Sequence, residues 1–316
     1  MSHLRMQTLI QTAPMLRCPL CGGSLHEAGT ALACETGHAF SLSSRGYADF
    51  VPGKQGGMYD VTLFEARQWV LNGPFYDPML EQTRALMEKY APSGPVLDAG
   101  CGEGTFLKRL CPQRRPALGI DLSRAGIRLA AKGGNDYGWL TGDLTRLPIK
   151  DGTVNCLLNI LSPAEYPEFT RVLEPKGILI KVIPGEHYLQ ELRGLAREQL
   201  QKDTYSNRAV MERFESRFKL LEQREVEACF PLPEEIREDF IRMTPLMHHV
   251  DRSRLDIQAL EHITIHLHIL CGRPEKQSLL AGGLFYQTGM LGIGKPQHMG
   301  AAAGKVQAGP AASVPL

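Results

Sequence analysis

Asp98-Ala99-Gly100-Cys101-Gly102-Glu103-Gly104 sets three glycines and two acids directly after the apolar pair Val96-Leu97. The apolar pair reads as the end of a buried strand, Asp98 as its carboxyl edge, and the glycines as a turn that opens a helix. Gly100, Gly102 and Gly104 free the backbone for tight dihedrals and let a ligand lie against bare peptide. Nineteen residues after Gly102, Leu118-Gly119-Ile120-Asp121-Leu122 ends a second short apolar run in an acid. An acid there, at the tip of the second strand, is placed to accept hydrogen bonds from ribose hydroxyls. Dinucleotide sites use G-x-G-x-x-G; here the spacing is G-x-G-x-G, and Thr105 stands where the third phosphate-loop glycine would fall. The spacing therefore disfavours a nicotinamide cofactor. A glycine turn with no ligand is the plainer alternative, and Asp121 argues against it.

A second constellation lies upstream. Cys18-Pro19-Leu20-Cys21 is followed after twelve residues by Cys34-Glu35-Thr36-Gly37-His38, a C-x2-C-x12-C-x3-H pattern. Each close pair sits on a turn, and the segment between can form a hairpin that returns the second pair to the first, as a tetrahedral zinc site requires. A unit of about 50 residues has little core of its own, and structural zinc contributes roughly 10–16 kcal/mol in comparable peptides. Four protein ligands, Cys18, Cys21, Cys34 and His38, leave no open position, so the metal is structural rather than catalytic. His26 lies off the pattern and reads as surface.

The elements that must position these residues follow from periodicity. Strands are expected at 95–99, 116–121, 136–141, 154–160, 177–183, 218–230 and 262–271. Helices are expected at Val61–Leu71, Met79–Tyr90, Arg124–Lys132, 186–201 and around Pro233–Met243. Alternating strands and helices of this length predict an α/β fold with a doubly wound, mainly parallel, seven-stranded sheet and a small N-terminal zinc-binding domain. Ligands of such sheets sit at the strands' carboxyl ends, where Asp98, Asp121, Asp143 and Asn159 all fall. The expected division is a zinc-binding RNA-recognition domain at 1–52, linker and helices at 53–94, a catalytic domain at 95–275 and a disordered tail at 276–316. Residues 1–17 read as a loose leader and Gly53 to Gly57 as a flexible joint. His266 and His268, alternating on the last strand, read as a polar face rather than as metal ligands. Phe40, Tyr47 and Phe50, near Arg45, suit either stacking on unpaired bases or a small core.

With 316 residues, 43% of them hydrophobic, the chain can bury a full core and hold more than one unit. Its 35 Lys and Arg against 34 Asp and Glu give no bulk attraction to nucleic acid, so any RNA contact must be local. No signal peptide or membrane span is expected. Eight cysteines without an export signal point to reduced thiols and a cytoplasmic protein.

The D-x-G-x-G-x-G form with its ribose acid resembles the class I S-adenosylmethionine-dependent methyltransferases. With the zinc pattern ahead of it, the chain resembles the 23S ribosomal RNA guanine-N1 methyltransferases, some of which protect ribosomes against macrolides of the tylosin and mycinamicin type. The likeness runs from about Arg17 to Arg273 and includes Arg45-Gly46-Tyr47, Ala66-Arg67, Tyr76-x-Pro78, Gly119-Ile120-Asp121-Leu122-Ser123, Pro163, Pro184-Gly185-x-His187 and Met243-Thr244-Pro245. It implies zinc on the four ligands above and S-adenosylmethionine contacts from Tyr76, from Phe106 and Leu107 after the glycine turn, and from His187. It implies 23S ribosomal RNA as partner, with no membrane; a homodimer is admitted. Asn159-Ile160-Leu161-Ser162-Pro163 departs from the Asn/Asp-Pro-Pro-aromatic signature of exocyclic amine methyltransferases.

Guanine N1 carries a proton that must leave before or during transfer. Asp143 and Glu165 are candidate bases, but no catalytic residue is assigned, and Asp143 suits the adenine amine better. N1 lies on the Watson–Crick edge, so the target belongs in a loop or out of its stack. Two other readings compete: a small-molecule methyltransferase with a structural zinc module, and a non-catalytic zinc-ribbon RNA binder, against which the intact Asp98, glycines and Asp121 argue.

Overall fold

The computed structural model describes residues 8–9, 11–51, 61–111, 115–132, 136–200 and 207–275. The Gly53–Gly57 joint, the 276–316 tail and residues 1–7 of the leader lie outside them. Eleven strands form one sheet in the order β1-β2-β3-β4-β7-β6-β5-β8-β9-β11-β10. The first four are β1 His26–Ala28, β2 Ala31–Ala33, β3 Ala39–Ser43 and β4 Tyr47–Asp49. The seven expected strands are all present, as β5 Val96–Ala99, β6 Ala117–Asp121, β7 Gly138–Thr141, β8 Val154–Ile160, β9 Leu173–Pro184, β10 Phe218–Pro231 and β11 His262–Pro274. Strands β4 to β9 pair in parallel along the sheet, and the antiparallel pairs β9–β11 and β11–β10 close one edge.

Both faces of the central strands are buried, because each faces helices. Val96, Cys156, Leu158, Ile178 and Ile180 point into one core, with Phe106, Ile127, Trp139 and Phe240. Their neighbours Leu97, Leu157 and Leu179 point into the other, with Leu118, Phe169 and Phe214. Helix α1 (Val61–Asn72) buries Leu63, Phe64, Ala66, Val70 and Leu71, one face at helical spacing. Gly73-Pro74 ends it, and α2 (Asp77–Tyr90) follows a single short turn at Pro74–Tyr76. The expected helix 186–201 is shorter, Gln190–Leu195 with a turn at Arg197–Gln199.

One expectation is corrected. The described part of the leader is not loose: Leu9, Thr12 and Leu16 are buried, and Arg17 N–H bonds the Pro148 carbonyl at 3.0 Å. The small N-terminal zinc-binding domain is present as expected, and it is joined to the main sheet. Its β4 lies parallel to β7, with Tyr47, Ala48 and Asp49 opposite Trp139, Leu140 and Thr141, so it extends the same sheet.

Candidate functional site

Strand β5 ends at Ala99, and the chain turns back under β6, with Gly100 and Cys101 N–H both bonding the Ile120 carbonyl, at 2.8 and 3.0 Å. Gly100 and Gly104 need to be glycine twice over. Both are left-handed, φ 85° and 77°. A Cβ on Gly100 would lie 1.9 Å from Ser162 Oγ, and one on Gly104 2.3 Å from the buried Trp139 ring. Gly104 caps helix α3 (Thr105–Leu110).

Three carboxyl groups gather on this turn. Asp98 is 2% exposed, and burial, then the charges of Asp121 and Glu103, raise its pKa from 3.8 to about 8 against the pull of Arg67. Asp121 is also raised by burial, while its Oδ2 accepts from Gly102 N–H at 2.8 Å and its Oδ1 from Ser123 N–H at 2.7 Å. Buried Glu103 accepts from Arg67 Nε at 3.1 Å. A glycine corner rimmed by acids fits a ligand that brings ribose hydroxyls and positive charge, as S-adenosylmethionine does with its sulfonium and ammonium. Asp143 lies exposed two residues past β7, its Oδ1 accepting from Thr145 N–H at 2.9 Å. Leu122, beside Asp121, is 55% exposed, an apolar face left at the mouth of this corner.

The residues named by resemblance fall differently. Tyr76 is buried, edge-on to Phe106 at 5.6 Å, with its hydroxyl 2.8 Å from that of Tyr188. Leu107 is wholly buried in the core, so only its backbone faces the turn. His187 is half-exposed, its Nδ1 2.8 Å from Glu227, and its neighbour Tyr188 rather than its own ring reaches Tyr76. His266 and His268 do share a face, with ring centroids 5.2 Å apart, but His266 is not a solvated polar residue. It is 4% exposed, accepts from His187 N–H at Nδ1 (3.1 Å) and bonds Glu225 through Nε2 (2.8 Å). It fills the space beside Gly185, where a Cβ would meet its ring at 2.5 Å.

The four metal ligands converge as their spacing predicts. All their donor atoms lie within 4.8 Å of one another; Cys21 and Cys34 sulfurs are 3.6 Å apart, and His38 Nδ1 is 3.5 Å from Cys18 Sγ and 3.4 Å from Cys34 Sγ. A zinc ion about 2.3 Å from each sulfur in a tetrahedron needs ligand atoms roughly 3.5–3.8 Å apart, so the donors fit. The Thr36 hydroxyl, bonded to Cys34 and Cys21, holds the Cys34 thiol down at about 6 and lowers Cys21 as well. His26 is exposed on β1, as expected. Phe40 and Phe50 lie 4.8 Å apart with their rings tilted by 41°, and both are buried, as is Tyr47, so these rings are core and not a platform for bases. None of the eight cysteines is in a disulfide.

Four functional contacts escaped the sequence. Trp139 floors the glycine turn. Arg67 neutralises Glu103. Asp49, at the end of β4, accepts from Arg124 Nε at 2.8 Å and from the Thr141 hydroxyl, tying the last strand of the N-terminal segment to β7 and to the segment after Asp121. Lys181 bonds Asn159. Only the last had a signal, a lone charge in the apolar run Ile178-Leu179-Ile180-Lys181-Val182-Ile183.

Comparison with known proteins covers the same two regions. Residues 16–56 match the model of the RlmA N-terminal zinc ribbon, and residues 96–177 match a methyltransferase domain. YxjB of Bacillus subtilis, provisionally named a 23S rRNA (guanine-N1)-methyltransferase, is 35% identical over 82% of this chain and 96% of its own length. The 23S rRNA (guanine(748)-N1)-methyltransferase of Streptomyces fradiae is 27% identical over 82% of this chain and 96% of its own. A Micromonospora griseorubida protein, provisionally named for the same activity, is 33% identical over 64% of this chain and 77% of its own. Ribbon and methyltransferase match together, in one order and over nearly the whole of two relatives, and on that ground the chain belongs to the 23S rRNA guanine-N1 methyltransferase family.

Proposed function

We propose that this enzyme transfers the methyl group of S-adenosylmethionine to N1 of a guanine in a loop of 23S ribosomal RNA. The observation that carries the reading is the acid-rimmed glycine corner built into the same sheet as the four-ligand metal site. Bound S-adenosylmethionine supplies a methyl group already activated for displacement. The protein's share is to orient it: Asp121 takes the ribose hydroxyls, exchanging its bond to Gly102 for them, and Asp143 takes the adenine amine. Leu122 covers an adenine face, and the backbone around Gly100, Gly102, Gly104, Phe106 and Leu107 lines the corner. Asp98 lies beneath it as a buried carboxyl group that ionises when the cationic ligand binds. Tyr76 and His187 are assigned to the methionine end, Tyr76 through its hydroxyl pair with Tyr188. Cys18, Cys21, Cys34 and His38 hold a structural zinc, and residues 1–52 serve as the RNA-recognition unit beside the catalytic 95–275. Orientation of this kind is worth several kcal/mol of barrier. The N1 proton goes to Asp143, Glu165 or water; Glu165 stands half-buried at the start of helix α4 (Tyr166–Val172), next to the Asn159–Pro163 segment.

Among the described residues no helix is long and apolar enough to cross a membrane. We place the enzyme in the cytoplasm with its ribosomal substrate, acting as a monomer or homodimer that sedimentation would distinguish. The deciding assay combines a radiolabelled methyl donor with 23S rRNA, followed by primer extension. N1 methylation blocks pairing, so reverse transcriptase stops one base short of a single guanine. Label in RNA without a stop moves the methyl off N1, and label in a small molecule but not in RNA overturns the RNA substrate. If the guanine lies in the macrolide path, expression also raises the inhibitory concentration of tylosin.

A further inference from the structure

Lys181 is the one charge in the apolar core of β9 and is 3% exposed. It forms no ion pair among the described residues. Its Nζ donates to Asn159 Oδ1 at 2.6 Å and to the Ser162 carbonyl at 3.0 Å. Asn159, its register partner on β8, donates in turn from Nδ2 to the Ala99 carbonyl at 2.8 Å and the Pro163 carbonyl at 3.0 Å. One ammonium group therefore links the end of β5, one residue past Asp98, with the corner that follows β8.

That corner does not hold itself. Leu161 is left-handed at φ 50°, a conformation that costs a leucine roughly 1–2 kcal/mol. Its N–H bonds the Val182 carbonyl at 3.0 Å, on the residue after Lys181. Ser162 then lies directly over the Gly100 backbone. A leucine or methionine would fill the space of Lys181 without desolvating a charge, and burial already pulls its pKa from 10.5 to about 8. A cation kept there at such cost, bonded only to the corner beside the cofactor turn, has a positional task.

We propose that Lys181 is a positioning residue of the methyl-transfer site: through Asn159 and the Ser162 carbonyl it holds the Leu161–Pro163 corner against the glycine turn, where the target base must stand. This rests on the methyl-transfer reading above, and its test separates the two. Amide exchange, read without RNA or cofactor, should speed up at least tenfold at Leu161 and Ser162 in Lys181→Met and stay unchanged at Gly102. Unchanged exchange at the corner overturns the proposal whatever the substrate. On 23S rRNA, Lys181→Met lowers kcat about 30- to 100-fold with the KM for S-adenosylmethionine within about threefold, the scale of a misplaced reacting group. A kcat within about threefold of wild type overturns it. The double variant Lys181→Met/Asn159→Leu fills the space with apolar side chains but takes these donors from the Ala99, Ser162 and Pro163 carbonyls, and should remain as slow as the single variant. If it regains kcat, packing alone sets the corner and the proposal fails. A wild-type enzyme that leaves no primer-extension stop defeats the RNA reading and leaves the exchange result to decide on Lys181.

Discussion

The two halves of the sheet's carboxyl edge turn their corners by different means. After β5 the left-handed residues are Gly100, Gly102 and Gly104; after β8 and β9 they are Leu161 and Leu189, at φ 50° and 52°. A glycine corner adopts left-handed dihedrals without steric penalty and leaves peptide bare for a ligand. A leucine corner is strained and needs outside help. Leu161 has the Lys181–Asn159 network, and Leu189 bonds the Thr264 carbonyl of β11 through its N–H at 2.8 Å. The glycine half thus offers a small cationic ligand a preset backbone, and the leucine half is held by bonds drawn from distant strands.

Metal removal should give the largest contrast between them. The ribbon is short and its two turns meet at the four ligands, so chelation ought to forfeit a contribution on the scale of 10 kcal/mol and unfold it. Strand β7 then loses β4, and Asp49 releases Arg124 and Thr141. Amide exchange should rise along β7 and around Asp121 and stay unchanged at Leu161 and Leu189. Equal acceleration at all four would erase the distinction between the halves.

Gly104→Ala comes next. The added Cβ meets Trp139 at 2.3 Å from a left-handed backbone, so the loss should reach about 2–4 kcal/mol in urea unfolding, with cofactor binding abolished. A variant that binds S-adenosylmethionine like wild type would show that the turn can give way and that its backbone is not preset.

The same half should report itself through protons. Asp98 titrates near 8 when folded and 3.8 when not, so the folded protein holds a proton that the unfolded chain has released. Its contribution to stability is whole below the unfolded value and is lost as the pH rises through about 8. A cationic ligand draws Asp98 back to its charged form. Binding of S-adenosylmethionine near pH 7 should release a proton, with affinity rising by up to about tenfold per pH unit until Asp98 is ionised. Calorimetry in buffers of different ionisation enthalpy reads this directly. No proton release would place the cofactor's charge away from Asp98.

The same contrast explains what could be read from the chain beforehand. Asp98 to Gly104, Asp121 and the cysteine–histidine pattern are short-range spacings, and their chemistry depends on backbone that the same few residues control. The central strands of the catalytic sheet were legible for a similar reason, each being a compact apolar run, whereas β10, with Glu222, Arg224, Glu225 and Glu227, is charged along its length. The joining of ribbon to sheet was not, because Asp49 finds Arg124 and Thr141 across 75 and 92 residues. His266 misled because period-two alternation marks a face without saying what covers it, and here Gly185 and His187 do. Phe40 and Phe50 could equally have been core or platform, since an aromatic ring suits both and only the fold decides.

The smallest expected effect tests the leucine corner on its own terms. Alanine normally outranks glycine wherever the backbone is ordinary, by roughly 0.5–1 kcal/mol. At Leu161 the order should invert. Both substitutions lose the same packing of a half-buried side chain, but only glycine sheds the left-handed penalty of roughly 1–2 kcal/mol. Leu161→Gly should therefore unfold at higher urea than Leu161→Ala by about 1 kcal/mol, and the same inversion should appear at Leu189, which is 3% exposed and loses more packing in both variants. If alanine proves the better residue at Leu161, its backbone relaxes out of the left-handed region once the side chain is gone. The corner would then be imposed by leucine packing, and the polar network from Lys181 would follow the shape instead of holding it.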